Sequence, residues 1–335
     1  MKRLKPFLLS ALLLLSAASA HAAQGDTVSL LFAGDVVLDG KPGDLIAQGK
    51  DPFAAFASIF EQADIRIANL ECVVATGGTA EDKNFTFRAR PRTLDFLQRH
   101  VDAVSNANNH SGDFGTGAFV EMLDLLDQQK IAHFGGGRNL SEAHRPLLIE
   151  RKGIRVAFLG YDEFMPRSFE ANANVPGVAW SEDEQVVMDI KNARQRDKAD
   201  IVIPFMHWGW ENETKAGPRQ RQLARLMIDA GADAVIGTHP HVIQDVETYQ
   251  GKPIIYSLGN FIMDSLDNEP QTRGWVLRLE LDRAGVQAWH TVLAQISEAG
   301  IPAPVVDVKT PCWTRTGDQL GMCVGASTPA AAPSH

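Results

Sequence analysis

The sequence predicts an α/β fold with open sheets, and two observations support this. From Val28 to about Leu281 the chain alternates apolar, strand-like stretches with stretches whose apolar residues recur at helical spacing. Polar clusters follow several of the apolar stretches, at the points where strands should end. Because ligands bind at the carboxyl ends of strands in open α/β sheets, this pattern indicates a functional site at one edge of the fold.

The predicted helices carry one apolar face each. The first begins at Asp51-Pro52, since Asp is a good cap and Pro is favoured at the first helical position, and it runs to about Gln62. The last is ended by Gly231, a residue typical of helix C-termini. Between them the periodicity predicts a helix just before Val101 and helices at 117–129, 185–196 and 219–230.

The predicted strands fall into two groups. Five precede the polar clusters, at 28–33, 65–68, 101–104, 201–205 and 234–236. The others lack such a cluster and lie at 147–149, 156–160, 254–257, 275–281 and 286–293.

The two ends of the chain differ from the middle. Residues 1–22 have a basic start, an apolar stretch and small residues at two cleavage-like positions, which predicts a cleaved secretory signal peptide and a periplasmic or secreted protein. An uncleaved N-terminal anchor is the alternative. The apolar stretch is short for a bilayer, and no later segment is apolar for long enough to cross one. We expect one domain at 27–298 and a C-terminal extension at 299–335 that is disordered in its Pro- and Ala-rich part, 328–333.

Charge and cysteine content limit the function classes. The net charge is −9, and no basic stripe of the kind that nucleic-acid binding needs is present. Cys312 and Cys323 are close in sequence and could pair in an oxidising compartment. Cys72 would then be a buried thiol or, alternatively, a metal ligand without a partner motif.

The polar clusters contain side chains that bind cations. Asp35 follows Gly34 at a strand-to-loop corner, where it offers a carboxylate to a cation or serves only as a turn residue. Asn69 and Glu71 share one face of an extended segment, and a buried carboxylate there must be paired or bound to a cation.

The later clusters are rich in histidine. In Asn108-Asn109-His110, the Asn109 oxygen suits a metal and His110 could donate a proton, oriented by Asp113; a hydrogen-bonded turn is the alternative. His207 follows a strongly apolar strand and could instead be a core residue. His239 and His241 flank Pro240 and point to one side of an extended chain, as metal ligands often do.

These motifs, in this order, resemble the bacterial poly-γ-glutamate capsule biosynthesis family of the CapA/PgsA type, within the calcineurin-like metallophosphoesterase superfamily. The resemblance covers roughly residues 28–281. It rests on Gly34-Asp35, Asn69-Leu70-Glu71, Phe87-Arg88, Asn108-Asn109-His110 with Asp113 and Gly115, His207-Trp208-Gly209 with Glu211, Gly237-Thr238-His239-Pro240-His241 and Tyr256-Ser257-Leu258-Gly259-Asn260-Phe261.

The resemblance implies a four-layer α/β/β/α sandwich with one or two divalent ions, Mn, Zn or Fe. Its metal ligands would be Asp35, Asn69, Glu71, Asn109, His207, His239 and His241. His110 would be the general acid, with Asp113 beside it. Substrate contacts are expected from Arg88, Trp208, Glu211 and Asn260, although Arg88 could equally be a surface charge and Trp208 could simply pack.

The chain departs from the superfamily pattern at named positions. Val37 stands where metallophosphoesterases carry the His of an Asp-x-His motif, and Glu71 stands where they carry Asp. Glu211 is followed by Asn212 rather than by Tyr. Two hypotheses follow: a metal-dependent hydrolase of a phosphoester or polymer amide, or a non-catalytic module that binds an anionic polymer for export or retention. Capsule-synthesis machinery is the expected partner in both.

Overall fold

The computed structural model describes residues 27–317 and 320–324, arranged as two stacked sheets with helices on the outer faces. The predicted signal peptide at 1–22 and the predicted disordered tail at 328–333 lie outside the described residues. The strands are β1 (Val28–Val36), β2 (Ile65–Leu70), β3 (Val73–Val74), β4 (Arg88–Ala89), β5 (Ala103–Ser105), β6 (Ala132–Phe134), β7 (Gly136–Gly137), β8 (Leu147–Arg151), β9 (Ile154–Asp162), β10 (Gly177–Val178), β11 (Ile201–His207), β12 (Val235–Thr238), β13 (Val246–Tyr249), β14 (Lys252–Ile255), β15 (Asn260–Ile262), β16 (Arg273–Asp282), β17 (Gly285–Ile296), β18 (Pro302–Pro304), β19 (Lys309–Thr314) and β20 (Gly321–Val324).

The helices lie between these strands. They are α1 (Gly40–Ala47), α2 (Ala57–Glu61), α3 (Leu94–His100), α4 (Gly115–Gln129), α5 (Leu140–Ala143), α6 (Asp183–Gln195) and α7 (Pro218–Ala230), with short 3-10 helices at Ala54–Phe56, Pro91–Thr93 and Glu269–Thr272.

The first sheet has ten strands in the order β20-β19-β17-β16-β1-β2-β5-β6, with β15 paired to β1 and β18 to β17. Strands β1, β2, β5 and β6 run parallel, whereas β16, β17, β19 and β20 form an antiparallel half. The parallel half needs helical crossovers between its strands, and these place α1 to α4 against its outer face.

The second sheet has six strands in the order β13-β14-β12-β11-β9-β8. Its central strands β9, β11, β12 and β14 are parallel, and the antiparallel strands β8 and β13 close the edges as hairpins. The crossover helices α6 and α7 cover its outer face.

Three apolar cores separate these layers. One lies between the first sheet and its helices, one between the two sheets, and one between the second sheet and its helices. In the middle core, Phe32 of the first sheet meets Phe205 of the second edge to face, with ring centroids 5.6 Å apart. The predicted four-layer α/β/β/α architecture is therefore confirmed.

Two local differences from the sequence-based expectation have physical causes. The stretch predicted as one helix from 51 to 62 is a 3-10 turn followed by the short helix α2, and the Oδ1 of Asp51 accepts a hydrogen bond from the Phe53 amide at 2.9 Å. The boundary expected at 298 falls inside the first sheet, because β18 and β19 pair with β17 and so cover its exposed edge.

The arrangement of the cysteines matches one of the alternatives expected from the sequence. Cys312 and Cys323 form a disulfide between the paired strands β19 and β20. Cys72 is a free, fully buried thiol whose sulfur accepts a hydrogen bond from the Leu38 amide at 3.4 Å, and burial raises its pKa to about 12. A thiol held in this protonated state is a packing residue. Across the described residues, no helix combines the length and apolarity that a membrane span requires.

Candidate metal centre

The polar clusters of both sheets meet at one place. Asp35 at the end of β1 is in register with Asn69 on β2, and Asn69 is in turn in register with Ser105 on β5. In the second sheet, His207 at the end of β11 is in register with Thr238 on β12. The carboxyl ends of the two parallel sets face each other, so each sheet contributes part of one buried polar cluster.

A close backbone contact fixes the position of Asp35. The Asp35 amide donates to the Gly259 carbonyl at 3.1 Å, and a Cβ at Gly34 would lie 1.9 Å from that same carbonyl oxygen. Only glycine permits this approach, because any other residue would overlap the backbone of the neighbouring segment. Gly34 therefore has a steric reason to precede Asp35.

The first group of potential ligands contains Glu71, His207 and His239, all buried, with ligand atoms within 4.8 Å of one another. The Nε2 of His207 lies 3.3 Å from Glu71 Oε1 and 3.1 Å from His239 Nδ1. Asn109 joins this group, because its Oδ1 lies 2.8 Å from the same His207 nitrogen. Two imidazoles, a carboxylate and an amide oxygen form a donor set of the mixed kind that Zn, Fe and Mn accept.

The second group contains Asp35, Glu71 and His241, again within 4.8 Å. The Nδ1 of His241 is 3.3 Å from Asp35 Oδ2, and its Nε2 is 3.7 Å from Glu71 Oε1. Glu71 belongs to both groups. A carboxylate shared between two adjacent donor sets is suited to a site that holds two ions.

Unpartnered polar atoms test whether these residues suit a cation. Both carboxylate oxygens of Glu71 and the Nε2 of His239 are buried and have no hydrogen-bond partner in the described protein. A buried polar atom without a partner costs about 1–3 kcal/mol. The two Glu71 oxygens are accounted for if a cation is their partner, so the donor set fits one or two divalent ions.

The acidic ligands titrate as parts of one cluster in the metal-free chain. Burial raises the pKa of Glu71 well above its ordinary value, and the charge of Asp35 raises it further. Burial also opposes ionisation of Asp35, but the hydrogen bond and charge of His241 outweigh it and lower that pKa. Asp35 is therefore the charged partner of His241, whereas burial and the charge of Asp35 disfavour the charged form of Glu71.

The three histidines of the cluster also differ in the direction of their pKa shifts. Burial lowers the pKa of His207 to about 3, and burial together with the nearby His207 and His241 lowers that of His239 well below its ordinary value. Burial acts against a charged His241 too, but the Glu71 and Asp35 carboxylates outweigh it and raise its pKa to about 10. His207 and His239 are thus neutral imidazoles, the form that binds metals.

The backbone at the two histidines after β12 is strained. His239 has a φ of 94° and His241 a φ of 56°, both in the left-handed region that non-glycine residues rarely adopt. Each costs on the order of 1–3 kcal/mol and persists only where the surroundings enforce it. This strain aims both imidazoles at Glu71, which is consistent with a functional demand on the segment.

His110 and Asp113 form a buried dyad beside the metal cluster. The Nδ1 of His110 lies 2.8 Å from Asp113 Oδ2, which also accepts the Phe87 amide at 2.7 Å. Burial lowers the pKa of His110, and the Asp113 carboxylate opposes this effect. The Asp113 contact fixes the proton on Nδ1, so Nε2 is the nitrogen left for a substrate.

The irregular stretch 76–86 is fastened to this dyad. The Glu81 amide donates to the Asp113 carbonyl at 2.9 Å, and the Lys83 Nζ pairs with the Asp113 carboxylate. Lys83 also donates to the Asn109 carbonyl at 2.9 Å. One lysine therefore connects the predicted acid–carboxylate pair to the backbone of a predicted metal ligand.

A cavity of about 490 Å³, here named the metal-side cavity, opens next to Asn109 and His110. Its other walls come from the stretch 81–85, from Asp162, from the stretch 164–170 and from Val178, Trp180 and Glu211. Asp162 is buried, and burial raises its pKa to about 7. The cavity is the space that a substrate could occupy beside His110.

Two of the residues predicted from sequence support ligands in this structure. The Asn69 amide donates to Asp35 Oδ1 at 2.8 Å, while its own oxygen accepts from Asn108 at 3.0 Å. Asn260 accepts the His241 Nδ1 proton at 2.9 Å, which leaves His241 Nε2 facing Glu71. Such partners orient metal ligands and tune their basicity.

The remaining predicted substrate residues occupy different surroundings. Arg88 donates to the carbonyls of Gly77 and Gly78 at 2.9 and 3.2 Å and lies over the Phe114 ring, so it braces the stretch 76–86. Trp208 is fully buried and donates to the Tyr256 carbonyl at 2.8 Å, so here it packs in the outer core. Glu211 is exposed and lines the metal-side cavity.

Three residues of the site, Lys83, Asp162 and Phe164, were not among those predicted from the sequence. Lys83 lies in a polar stretch with no periodicity, so nothing marks it before its contacts are known. Asp162 ends the apolar strand β9, and the strand-end criterion used for Asp35 would have identified it. The third, Phe164, packs against His239 with ring centroids 4.3 Å apart, a contact that only the fold reveals.

The fold and the site define an α/β sandwich protein with a candidate divalent-metal centre between its sheets. The model of the family "Bacterial capsule synthesis protein PGA_cap" matches residues 29–265, and the chain belongs to this family. That match includes every candidate ligand, from Asp35 to His241.

Relatives in two genera support the assignment. The chain is 31% identical to the PGA biosynthesis protein CapA of Bacillus subtilis (strain 168), over 84% of this chain and 74% of that protein. It is 33% identical to the capsule biosynthesis protein CapA of Bacillus anthracis, over 67% of this chain but only 55% of that protein. A probable polyglutamine synthesis accessory protein of Mycobacterium tuberculosis is also 33% identical, over 60% of this chain and 56% of that protein.

Solved structures of low sequence identity were also found. A sulfate thiohydrolase SoxB superposes with a TM-score of 0.46 at 11% identity, over 83% of this chain and 56% of that one. PhoD superposes with a TM-score of 0.44 at 10% identity, over 91% of this chain and 73% of that one.

Proposed function

We propose that this protein is a metal-dependent hydrolase, exported to the periplasm or secreted, that cleaves a phosphoester or an amide in a polyglutamate-like or cell-wall polymer. The observation that supports it best is the position of Glu71 in two adjacent donor groups, with both of its buried oxygens unpartnered. A stably folded protein keeps such atoms only if something compensates them.

The chain would hold the ions with residues from both sheets. Asp35, Glu71 and His241 would hold one ion, and Glu71, Asn109, His207 and His239 the other. When bound, the ions would lower the pKa of a water molecule and polarise the oxygen of the scissile group. Asn69 and Asn260 would keep Asp35 and His241 in the orientations described above.

His110 would donate the proton that the leaving group needs. Its Nδ1 is tied to Asp113, so its Nε2 carries the transferable proton when the ring is charged. The metal-side cavity is adjacent to His110 and has room for a substrate segment. The Asp113 carboxylate favours the imidazolium form that this role requires, whereas burial of the ring opposes it.

The test combines metal content with turnover. We expect the protein purified from the periplasm to contain one or two equivalents of Mn, Zn or Fe by elemental mass spectrometry, and His239→Ala with His241→Ala to lose them. The matched control is His133→Ala with His290→Ala, since neither histidine belongs to a ligand group. Equal metal content in wild type and the ligand variant would contradict the proposed centre.

The second half of the test separates catalysis from metal binding. We expect His110→Gln to keep its metal but to lose hydrolysis of p-nitrophenyl phosphoesters or of γ-glutamyl oligomers by at least about a hundredfold. A metal-loaded wild-type protein that cleaves neither substrate class would contradict the hydrolase proposal.

One observation favours a second candidate, a non-catalytic module that binds an anionic polymer. Val37 is fully buried in the apolar core, and it stands where the Asp-x-His pattern has a ligand. The ion held by Asp35 would therefore have one protein ligand fewer than in proteins that carry the Asp-x-His pattern. Retained polymer binding with no turnover by the metal-loaded protein would support this candidate.

A further inference from the structure

A second cavity, here named the outer cavity, lies away from the metal cluster. It has a volume of about 620 Å³ and is lined by residues of α5 and α6 and the residues that follow them. The stretch 164–173 contributes to both cavities, because its first part lines the metal-side cavity and Ala173 lines the outer one. The Leu140 amide fastens this stretch to α5 by donating to the Asn172 carbonyl at 2.7 Å.

A histidine that the metal centre does not use faces this space. The Nδ1 of His144 lies 2.8 Å from Asp189 Oδ2, and Asp189 also accepts from Tyr161 at 3.0 Å and from Gln185 at 2.7 Å. Asp189 is thus fully partnered and fixes the proton on His144 Nδ1. The His144 side chain is 7% exposed and lines the outer cavity, and its Nε2 makes no hydrogen bond to the described residues.

Two guanidinium groups line the same cavity. Arg145 is exposed, and among the described residues its side chain forms no ion pair or hydrogen bond. Arg196 gives two nitrogens to Asp197, both at 2.9 Å, and its third nitrogen stays free. Because the Arg196 side chain is exposed, its pair with Asp197 is weakened by solvent and open to competition from another carboxylate. The amides of Gln185 and Asn192 and the Ser141 hydroxyl complete the polar wall.

The unpaired charges that line the metal-side cavity are negative rather than positive. Glu81, Asp82 and Glu211 line it without an ion pair in the described residues, whereas its cations Lys83 and Arg167 are paired with Asp113 and Glu170. In a chain of net charge −9, an anionic polymer therefore needs attraction from somewhere other than the rim of the metal-side cavity.

We infer that the outer cavity binds carboxylate groups of an anionic polymer, with Arg145 and Arg196 as ion-pair donors and His144 Nε2 as the acceptor for an amide N–H of the same polymer. The inference deepens the proposed function, since it rests on an anionic polymer as the ligand. Guanidinium groups are suited to carboxylates because their planar donors match both oxygens.

The test is a binding measurement without metal, so that it does not depend on hydrolysis. The probe is a fluorescein-labelled decamer of γ-linked glutamate, titrated with the EDTA-treated full chain and followed by fluorescence anisotropy. We expect Arg145→Gln with Arg196→Gln to weaken binding about tenfold or more. The control is Arg92→Gln with Arg151→Gln, which removes the same charge from exposed sites outside this cavity and should change binding less than about twofold.

The remaining outcomes are decisive as well. Equal affinities of wild type and the outer-cavity variant would overturn the inference, and so would an equal loss in the control variant, since net charge alone would then explain it. Displacement of the decamer by inorganic phosphate at the same concentration of charge would show a small-anion site and also overturn it. Retained decamer binding by His239→Ala with His241→Ala would support it even if the proposed hydrolase activity fails.

Discussion

Lys83 pairs with the fully buried carboxylate of Asp113, whose other oxygen is engaged by His110. The lysine comes from the irregular stretch 76–86, and the dyad comes from the segment between β5 and α4. A cation on a loop therefore compensates the charge that orients the proposed general acid. Removing it would leave Asp113 with one cationic partner fewer in a site that water hardly reaches.

We expect Lys83→Met to lower kcat by at least about tenfold while metal content stays at the wild-type level. The free energy of unfolding should fall by about 1–3 kcal/mol, because a buried acceptor loses its partner. Steady-state kinetics and urea unfolding measure the two effects. Lys83→Arg should recover most of the activity; a variant with unchanged kcat would refute a positioning role. Lys50→Met, at an exposed position, is the control.

Glu71→Gln tests whether one carboxylate serves both donor groups. The variant keeps the shape of the side chain but removes the charge, so we expect it to lose all bound metal rather than half. In wild type, metal at about a hundredfold excess over its Kd should add about 2.7 kcal/mol of stability. In Glu71→Gln that gain should vanish, while the metal-free Tm stays equal or rises, since burial and the charge of Asp35 disfavour a charged carboxylate at this position.

Differential scanning calorimetry with and without MnCl2 measures this prediction. The control is Glu298→Gln, an exposed position outside both donor groups. One equivalent of metal retained by Glu71→Gln would disprove the shared-ligand arrangement.

Asp162 gives a pH prediction for the metal-free protein. Burial raises its pKa to about 7 from the ordinary value of 3.8. Between these values the folded state holds a proton that the unfolded state has lost, so the stability contributed by the group decreases as pH rises through this window. Asp162→Asn removes the titration, and its stability relative to wild type should increase by up to about 4 kcal/mol between pH 4 and pH 8.

Urea unfolding of EDTA-treated protein at the two pH values measures the effect. Asp44→Asn, which changes an exposed carboxylate, should show no such increase. The same difference between Asp162→Asn and wild type at both pH values would contradict the raised pKa.

Gly34→Ala tests the backbone contact beneath Asp35. Its new Cβ would lie 1.9 Å from the Gly259 oxygen, so the backbone must move, and we expect a loss of about 3 kcal/mol or more together with bound metal. Thermal unfolding and metal analysis measure both. Gly77→Ala, where a Cβ meets no atom within 4 Å, is the matched control. Wild-type stability in Gly34→Ala would show that the two segments are free to separate.

The sequence singles out the candidate ligands, but it does not single out the residues that position them. Asp35, Glu71, His207 and His239 stand out because polar side chains at the ends of apolar strands are costly unless they have a function. The pairing of Glu71 with two separate groups depends on how the two sheets face each other, and no local pattern encodes that arrangement. Local periodicity also predicts helices; α7, for example, starts within one residue of its predicted start.

Other features cannot be predicted from local sequence because they depend on contacts with residues elsewhere in the chain. The roles of Arg88 and Trp208 depend on neighbours distant in sequence, namely the Gly77 and Tyr256 carbonyls. A charged or aromatic residue beside a motif can face the site or the core, and register alone decides which. The strands β18 to β20 were likewise hidden, because pairing to a sheet edge needs no strong periodicity.

The donors of the candidate centre come from both sheets: Asp35, Glu71 and Asn109 lie at or after strand ends of the first, and His207, His239 and His241 lie at or after strand ends of the second. An ion held by them is therefore a cross-link between two layers that otherwise meet mainly through apolar contacts. Pulled apart in a force experiment, the loaded protein would resist separation of its layers until the ion is lost. Cation supply in the surroundings would then set the mechanical strength of the molecule as well as its chemistry.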